Sequence, residues 1–124
     1  MNLLLDTHAL LWWLGDSPMA PDARQQISDP ATLVVVSAAS AWEIAIKRAT
    51  GKLRLDGNVA ALVVGAAFTP LPVSFAHAER AGALPPYHRD PFDRLLVAQA
   101  QLEGLALVTR DVRMDAYDVT VVAC

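Results

Sequence analysis

Cysteine is all but missing from this chain. The single one, Cys124, excludes an internal disulfide framework and fits a reducing compartment, so a cytoplasmic setting is expected. Long hydrophobic runs are missing too. None reaches the roughly 18–20 residues of a membrane helix, and Met1-Asn2 leads straight into Leu3-Leu4-Leu5 with no basic stretch or cleavage site, so neither a span nor a secretory leader is expected. No glycine-rich phosphate loop of the Walker or Rossmann kind is present. The three histidines and one cysteine show no zinc-like spacing, and Ser37 and Ser40 have no partnered histidine for serine-based hydrolysis. Positive charge is short: a net charge of −3 argues against a general nucleic-acid coating protein.

What is present is apolar and regularly punctuated. A length of 124 residues fits one domain with one core, residues 1–124. The apolar fraction of 54% exceeds what a single amphipathic layer needs and points to strands buried on both faces, or to an apolar partner surface. Leu3 to Leu5 and the β-branched run Thr32 to Val36 read as buried strands. Leu105 to Thr109 and Val119 to Ala123 read the same way. Thr69 to Val73 carries two prolines and is expected at a sheet edge. Between them lie helical stretches: Thr7 to Leu14, Pro21 to about Ser28, Ala38 to about Thr50 with Ser37 as cap, Gly57 to Phe68, Ser74 or Phe75 to about Ala81, and a helix opened by Asp90-Pro91 and ended by Gly104. Strand–helix alternation with apolar strands implies an α/β fold, a mainly parallel sheet covered on both faces.

Four acids, Asp6, Glu43, Asp93 and Asp111, fall where strand-like runs give way to helices or early in those helices. In an open parallel sheet such positions converge on the crevice at the strands' carboxyl ends. Carboxylates crowded there repel one another, which a divalent cation relieves. An all-carboxylate site suits Mg²⁺ or Mn²⁺, and such a metal serves phosphodiester hydrolysis. The acidic balance does not exclude a nuclease, because the ion inverts the local sign. Each acid also has a plainer reading. Asp6 and Asp111 can be helix caps. Glu43 can close a capping box with Ser40 or pair with Lys47 one turn on. Asp90 is placed to cap, which leaves Asp93 as the better metal candidate. His88 is a candidate substrate contact; His8 and His77 read as packed side chains. The basic residues form clusters around Lys47, Arg48, Lys52 and Arg54, around Arg89 and Arg94, and around Arg110 and Arg113.

The blocks Leu-Leu-Leu-Asp6-Thr7-His8, Ser37-Ala-Ala-Ser40-Ala-Trp42-Glu43-Ile-Ala-Ile-Lys47, Gly51-Lys52-Leu53, His88-Arg89-Asp90-Pro91-Phe92-Asp93-Arg94-Leu-Leu and Leu107-Val108-Thr109-Arg110-Asp111 resemble, in order and over the whole chain, the PIN-domain family and within it the VapC-type toxin ribonucleases. The resemblance implies a three-layer α/β/α domain with a central parallel sheet, Mg²⁺ or Mn²⁺ dependence, and cleavage of RNA by a metal-activated water. It makes Asp6, Glu43, Asp93 and Asp111 the catalytic metal ligands. Thr7 or Thr109 would be a nearby polar residue, and Asp90 belongs to the same His-x-Asp-Pro-Phe-Asp block. It further implies a homodimer and a small VapB-like antitoxin as partner. The chain ends without a basic tail, so Lys47, Arg89, Arg94 and Arg110 are the expected RNA contacts. Two rivals stay beside this reading. One is a catalytically silent PIN module that only binds RNA or antitoxin. The other is a phosphotransfer domain with Asp6 as nucleophile, disfavoured because His8 stands where a second aspartate is needed.

Overall fold

A computed structural model describes all residues from Met1 to Cys124. Strands β1 (Leu3–Leu5), β2 (Val34–Ser37), β3 (Thr69–Leu71), β4 (Ala106–Thr109) and β5 (Val121–Ala123) form one sheet in the order β3-β2-β1-β4-β5. Every pairing is parallel. β1 is central: Leu4 pairs with Val35 on one side and Leu107 on the other. Six helices connect the strands: α1 (Thr7–Leu14), α2 (Pro21–Ser28), α3 (Ala38–Ala49), α4 (Val59–Gly65), α5 (Phe75–Ala83) and α6 (Pro91–Glu103).

Side chains alternate across a strand, and the sheet uses both sides. Leu3, Leu5, Val34, Val36, Ala106 and Val108 face one core, filled by Ala9 and Leu10 of α1, Ala23 and Ile27 of α2, Ile44 of α3 and Val63 of α4. Leu4, Val35 and Leu107 face the other, filled by Leu96, Val97, Ala98 and Ala100 of α6 with Met114 and Tyr117. Burial on both faces is why the strands are apolar without alternation. The result is the three-layer α/β/α arrangement. No helix is long and apolar enough to cross a membrane.

Element ends depart from the sequence reading in ways with local causes. β2 begins at Val34, not Thr32: the Leu33 amide is taken by the Asn2 side chain, outside the ladder, and Leu33 is exposed. The strand then extends to Ser37, which is both its last residue and the cap of α3, accepting the Ala39 amide at 3.0 Å. β3 is an edge strand and stops at Leu71, because Pro72 has no amide to pair. Gly104 ends α6 in the left-handed conformation (φ 66°), where a side chain would be strained.

Candidate active site

Asp6 follows β1 at the centre of the sheet. Its Oδ1 accepts the Ala9 amide at 2.7 Å, so it caps α1, and its side chain is buried. Cap and candidate ligand are thus one residue. Burial raises its pKa; the Thr109 hydroxyl and the Ala9 amide pull it down, and Glu43 pushes it up. Thr109 ends β4. Its oxygen accepts the Asp111 amide at 3.0 Å, which leaves its proton for Asp6.

Glu43 projects from the second turn of α3 and is buried. The Thr7 hydroxyl donates to its Oε1 at 2.7 Å, with the Ser40 hydroxyl 3.0 Å from Thr7 Oγ1, and Lys47 Nζ lies 3.0 Å from its Oε2. The capping-box reading of Ser40 and Glu43 is overturned. Ser37 is the cap, so Ser40 lies inside the helix and turns to Thr7.

Asp90 is the N-cap of α6. Its Oδ1 accepts the amides of Phe92 at 2.8 Å and Asp93 at 3.2 Å. Asp93, in the first turn, is half-buried, and its pKa is raised to about 7. Burial is the main cause, then the charges of Asp90, Asp6 and Glu43, with His88 acting the other way. Asp6, Glu43 and Asp93 therefore form one electrostatic group at the carboxyl ends of the strands. Asp111 caps a 3₁₀ turn over Val112–Ala116. Its Oδ1 accepts the Arg113 amide and Nε, and its Oδ2 accepts Arg113 Nη2 at 2.8 Å and faces His88 Nε2 at 3.0 Å. These contacts, led by the Arg113 side chain, hold its carboxyl well below the usual range.

His88 contributes more than the sequence suggested. Its side chain is only 2% exposed, and its Nε2 lies 3.0 Å from both Asp93 Oδ2 and Asp111 Oδ2. Histidine, Asp93 and Asp111 thus present three donor atoms within 4.8 Å of one another. What was missed is what holds His88: its amide donates to the Tyr117 hydroxyl at 2.9 Å, and Tyr117 donates in turn to the Pro85 carbonyl at 2.8 Å. Tyr117 carried no local signal; only the tertiary fold brings it to this loop.

The basic residues are mostly engaged within the protein. Arg94 donates to the carbonyls of Ala81, Leu84, Pro85 and His88, so it fastens the loop before α6. Arg110 stacks 3.8 Å over the Trp12 ring and donates to the Cys124 carbonyl at 2.9 Å. Lys47 is engaged by Glu43, which leaves exposed Arg89 as the unpaired cation of that group. The largest groove, about 1090 Å³, lies apart from these acids, against Arg80, Tyr87 and Tyr117.

The donor set fits a hard divalent ion. Asp6, buried, and Asp93, half-buried, are carboxylates whose charge is opposed by desolvation and by neighbouring acids, the condition a cation removes. Asp6, Glu43 and Asp93 feel one another's charge, but only His88, Asp93 and Asp111 have donor atoms within 4.8 Å of one another, so an ion held by the first three would draw them closer together. Asp111 could join them only if Arg113 releases it, since four contacts fill its oxygens.

A family model described as PIN domain matches residues 3–119. No curated protein matches the sequence significantly. Among solved structures, VapBC2 from Rickettsia felis, bound to a DNA fragment from its promoter, superposes with a TM-score of 0.74 at 13% identity, covering 99% of this chain and 98% of that one. DNA-bound VapBC from Salmonella typhimurium gives 0.71 at 16% identity, covering 99% and 98%. FitAcB from Neisseria gonorrhoeae gives 0.64 at 24% identity, covering 98% and 96%. At these identities the likeness is one of fold.

Proposed function

The chain belongs to the PIN domain family, and from that premise we propose that it is a Mg²⁺- or Mn²⁺-dependent endoribonuclease, the VapC-type toxin of a type II toxin–antitoxin pair. The observation that carries this reading is the pair of carboxylates, buried Asp6 and half-buried Asp93, both pushed up by burial at the carboxyl ends of a parallel sheet. A fold can hold such groups without function, but here they come from different elements and both feel the charge of Glu43 from a third.

In this reading Asp6, Glu43, Asp93 and Asp111 would hold the ion, Asp111 only where Arg113 leaves its oxygens free. The ion would supply a Lewis acid for the phosphoryl oxygen and would lower the pKa of a water. Thr7 and Lys47 fix the two oxygens of Glu43, so that its carboxylate presents one orientation. Thr109 does the same for Asp6, and Asp90 sets the start of α6 and so the height of Asp93. Arg89, exposed beside the cleft, is the cation free to meet the RNA backbone.

An antitoxin partner is supported by the VapBC and FitAB complexes that share the fold. Exposed Trp42 and Ile46 on α3 and Val64 on α4 offer apolar area for that partner or for a homodimer.

The test is cleavage of a labelled single-stranded RNA by the purified chain with Mn²⁺, then with chelator, and by Asp6→Asn. We expect metal-dependent internal cuts that chelator stops and the variant lacks. Cleavage by Asp6→Asn at the parent rate overturns the assignment. RNA or antitoxin binding without cleavage under any metal leaves the silent module.

A further inference from the structure

His88, Asp93 and Asp111 look at first like a three-ligand metal set, one imidazole and two carboxylates with donor atoms within 4.8 Å. The far side of the ring says otherwise. The Asp90 amide donates to His88 Nδ1 at 3.1 Å, so Nδ1 must present a lone pair. A histidine that ligates through Nε2 carries its proton on Nδ1 and gives it to an acceptor. Here Nδ1 faces a donor instead. The ring proton is therefore on Nε2, 3.0 Å from both Asp93 Oδ2 and Asp111 Oδ2.

The ring cannot easily turn over. It is buried, and the backbone on either side is tied down. The His88 amide is held by Tyr117, and its carbonyl accepts Arg94 Nη1 at 3.3 Å. The Asp90 amide that fixes the tautomer belongs to the cap of α6, two residues on. Exchanging the nitrogens would set the Asp90 N–H against a ring N–H and leave two carboxylate oxygens facing a lone pair.

We propose that His88 is a positioning residue and not a metal ligand: its Nε2–H donates to Asp111, the cap of the 3₁₀ turn, while the same nitrogen lies 3.0 Å from Asp93 Oδ2 of α6, so that the buried ring sets the gap that the two carboxylates present to a divalent ion. This deepens the nuclease reading and rests on it. The N–H engages Asp111 Oδ2, and neither oxygen of Asp93 accepts a hydrogen bond from the protein.

Three measurements test it. Long-range ¹⁵N–¹H correlation of the chain in EDTA reads the tautomer of His88 without any metal; an Nε2–H ring is expected, and an Nδ1–H ring overturns the proposal. Pulsed EPR of the Mn²⁺-loaded chain is expected to show no ¹⁴N coupling of a directly bound imidazole; a coupling that vanishes in His88→Gln overturns it. Mn²⁺ titration calorimetry then compares His88→Leu, which has no donor, with His88→Gln, which keeps an N–H at the end of its side chain. The leucine variant should bind on the order of 10- to 100-fold more weakly, the range for an orienting partner, and the glutamine variant should recover most of that loss. Circular dichroism of both variants guards against simple unfolding, and parent-like binding by a folded leucine variant overturns the proposal. If the parent chain binds no Mn²⁺ at all, the nuclease reading fails, and with it the part of the proposal that concerns the ion. The tautomer spectrum still decides the bond from His88 to Asp111.

Discussion

The Thr7 hydroxyl donates to Glu43 Oε1 at 2.7 Å, joining the first residue of α1 to the second turn of α3 inside the protein. A hydroxyl that donates to a buried carboxylate is a charge-assisted bond, worth about 1.5–3 kcal/mol. Thr7→Val keeps the shape and removes the donor. Urea unfolding should show a loss of that order, and Mn²⁺-dependent cleavage should fall because Glu43 is free to rotate. A variant as stable and as active as the parent would remove Thr7 from the site.

Asp6→Asn should separate stability from activity. Burial opposes the charge of Asp6, whereas an amide keeps an oxygen for the Ala9 amide without that charge. In chelator, the variant should melt above the parent while its RNA cleavage is abolished. A lower melting temperature would mean that Asp6 is structural.

The pH dependence follows from Asp93, whose pKa is raised to about 7, mainly by burial. Unfolded, it would titrate near 3.9. Between these values the folded chain keeps a proton that the unfolded chain has released, so stability from this group is full below the lower value and is lost as pH rises through about 7. Asp6 acts in the same direction. Asp111, whose pKa is depressed, acts oppositely, but only in the acid range below the ordinary carboxyl value. Melting in chelator should therefore fall between pH 5 and 8 through these two groups. The gain in melting temperature on adding Mn²⁺ should be larger at pH 8, where no proton competes. A gain that shrinks with rising pH would contradict this.

Arg113→Ala should tighten Mn²⁺ binding. Arg113 is exposed and holds both oxygens of Asp111. Its removal should free that carboxylate at little expense to the fold. Calorimetry that gives unchanged or weaker affinity would mean that Asp111 does not reach the ion.

Arg94 offers the contrast. Its guanidinium satisfies four carbonyls around the loop before α6. Arg94→Ala should lower stability by about 1–3 kcal/mol, the scale for leaving carbonyl acceptors without a partner, and raise amide exchange across residues 84–90. Arg94→Lys should not rescue it, because one ammonium cannot span the same fan of oxygens. A variant that loses only RNA affinity would return Arg94 to the substrate group.

Much of this was legible before any coordinates. Leu3 to Leu5 could only be a strand buried on both faces, and Asp90-Pro91 and Gly104 mark the ends of α6 by backbone chemistry that acts locally. Asp6 and Asp111 stand just after strands and cap the turns that follow, as their positions suggest, whereas Glu43 lies a turn further into its helix and Asp93 follows a loop, so local pattern alone places them less firmly. The bonds among them could not be read, because they join residues far apart in sequence: Tyr117 to His88, Thr109 to Asp6, Thr7 to Glu43. Nor could the commitment of Arg94 and Arg110 to carbonyls, since a guanidinium looks the same in a sequence whether it meets RNA or its own backbone. Ser40 misled because a capping-box pattern was present one turn too late, after Ser37 had already started the helix.

β1, the first strand made, is flanked in the finished sheet by a partner from the far end of the chain, with Leu5 opposite Val108. Parallel pairing across such a separation closes late in folding. Asp6 is synthesised well before Thr109 and meets it only once β4 has formed beside β1. A nascent chain therefore carries no assembled acid cluster, and a chain cut short before β4 lacks the strand that brings Thr109 to Asp6.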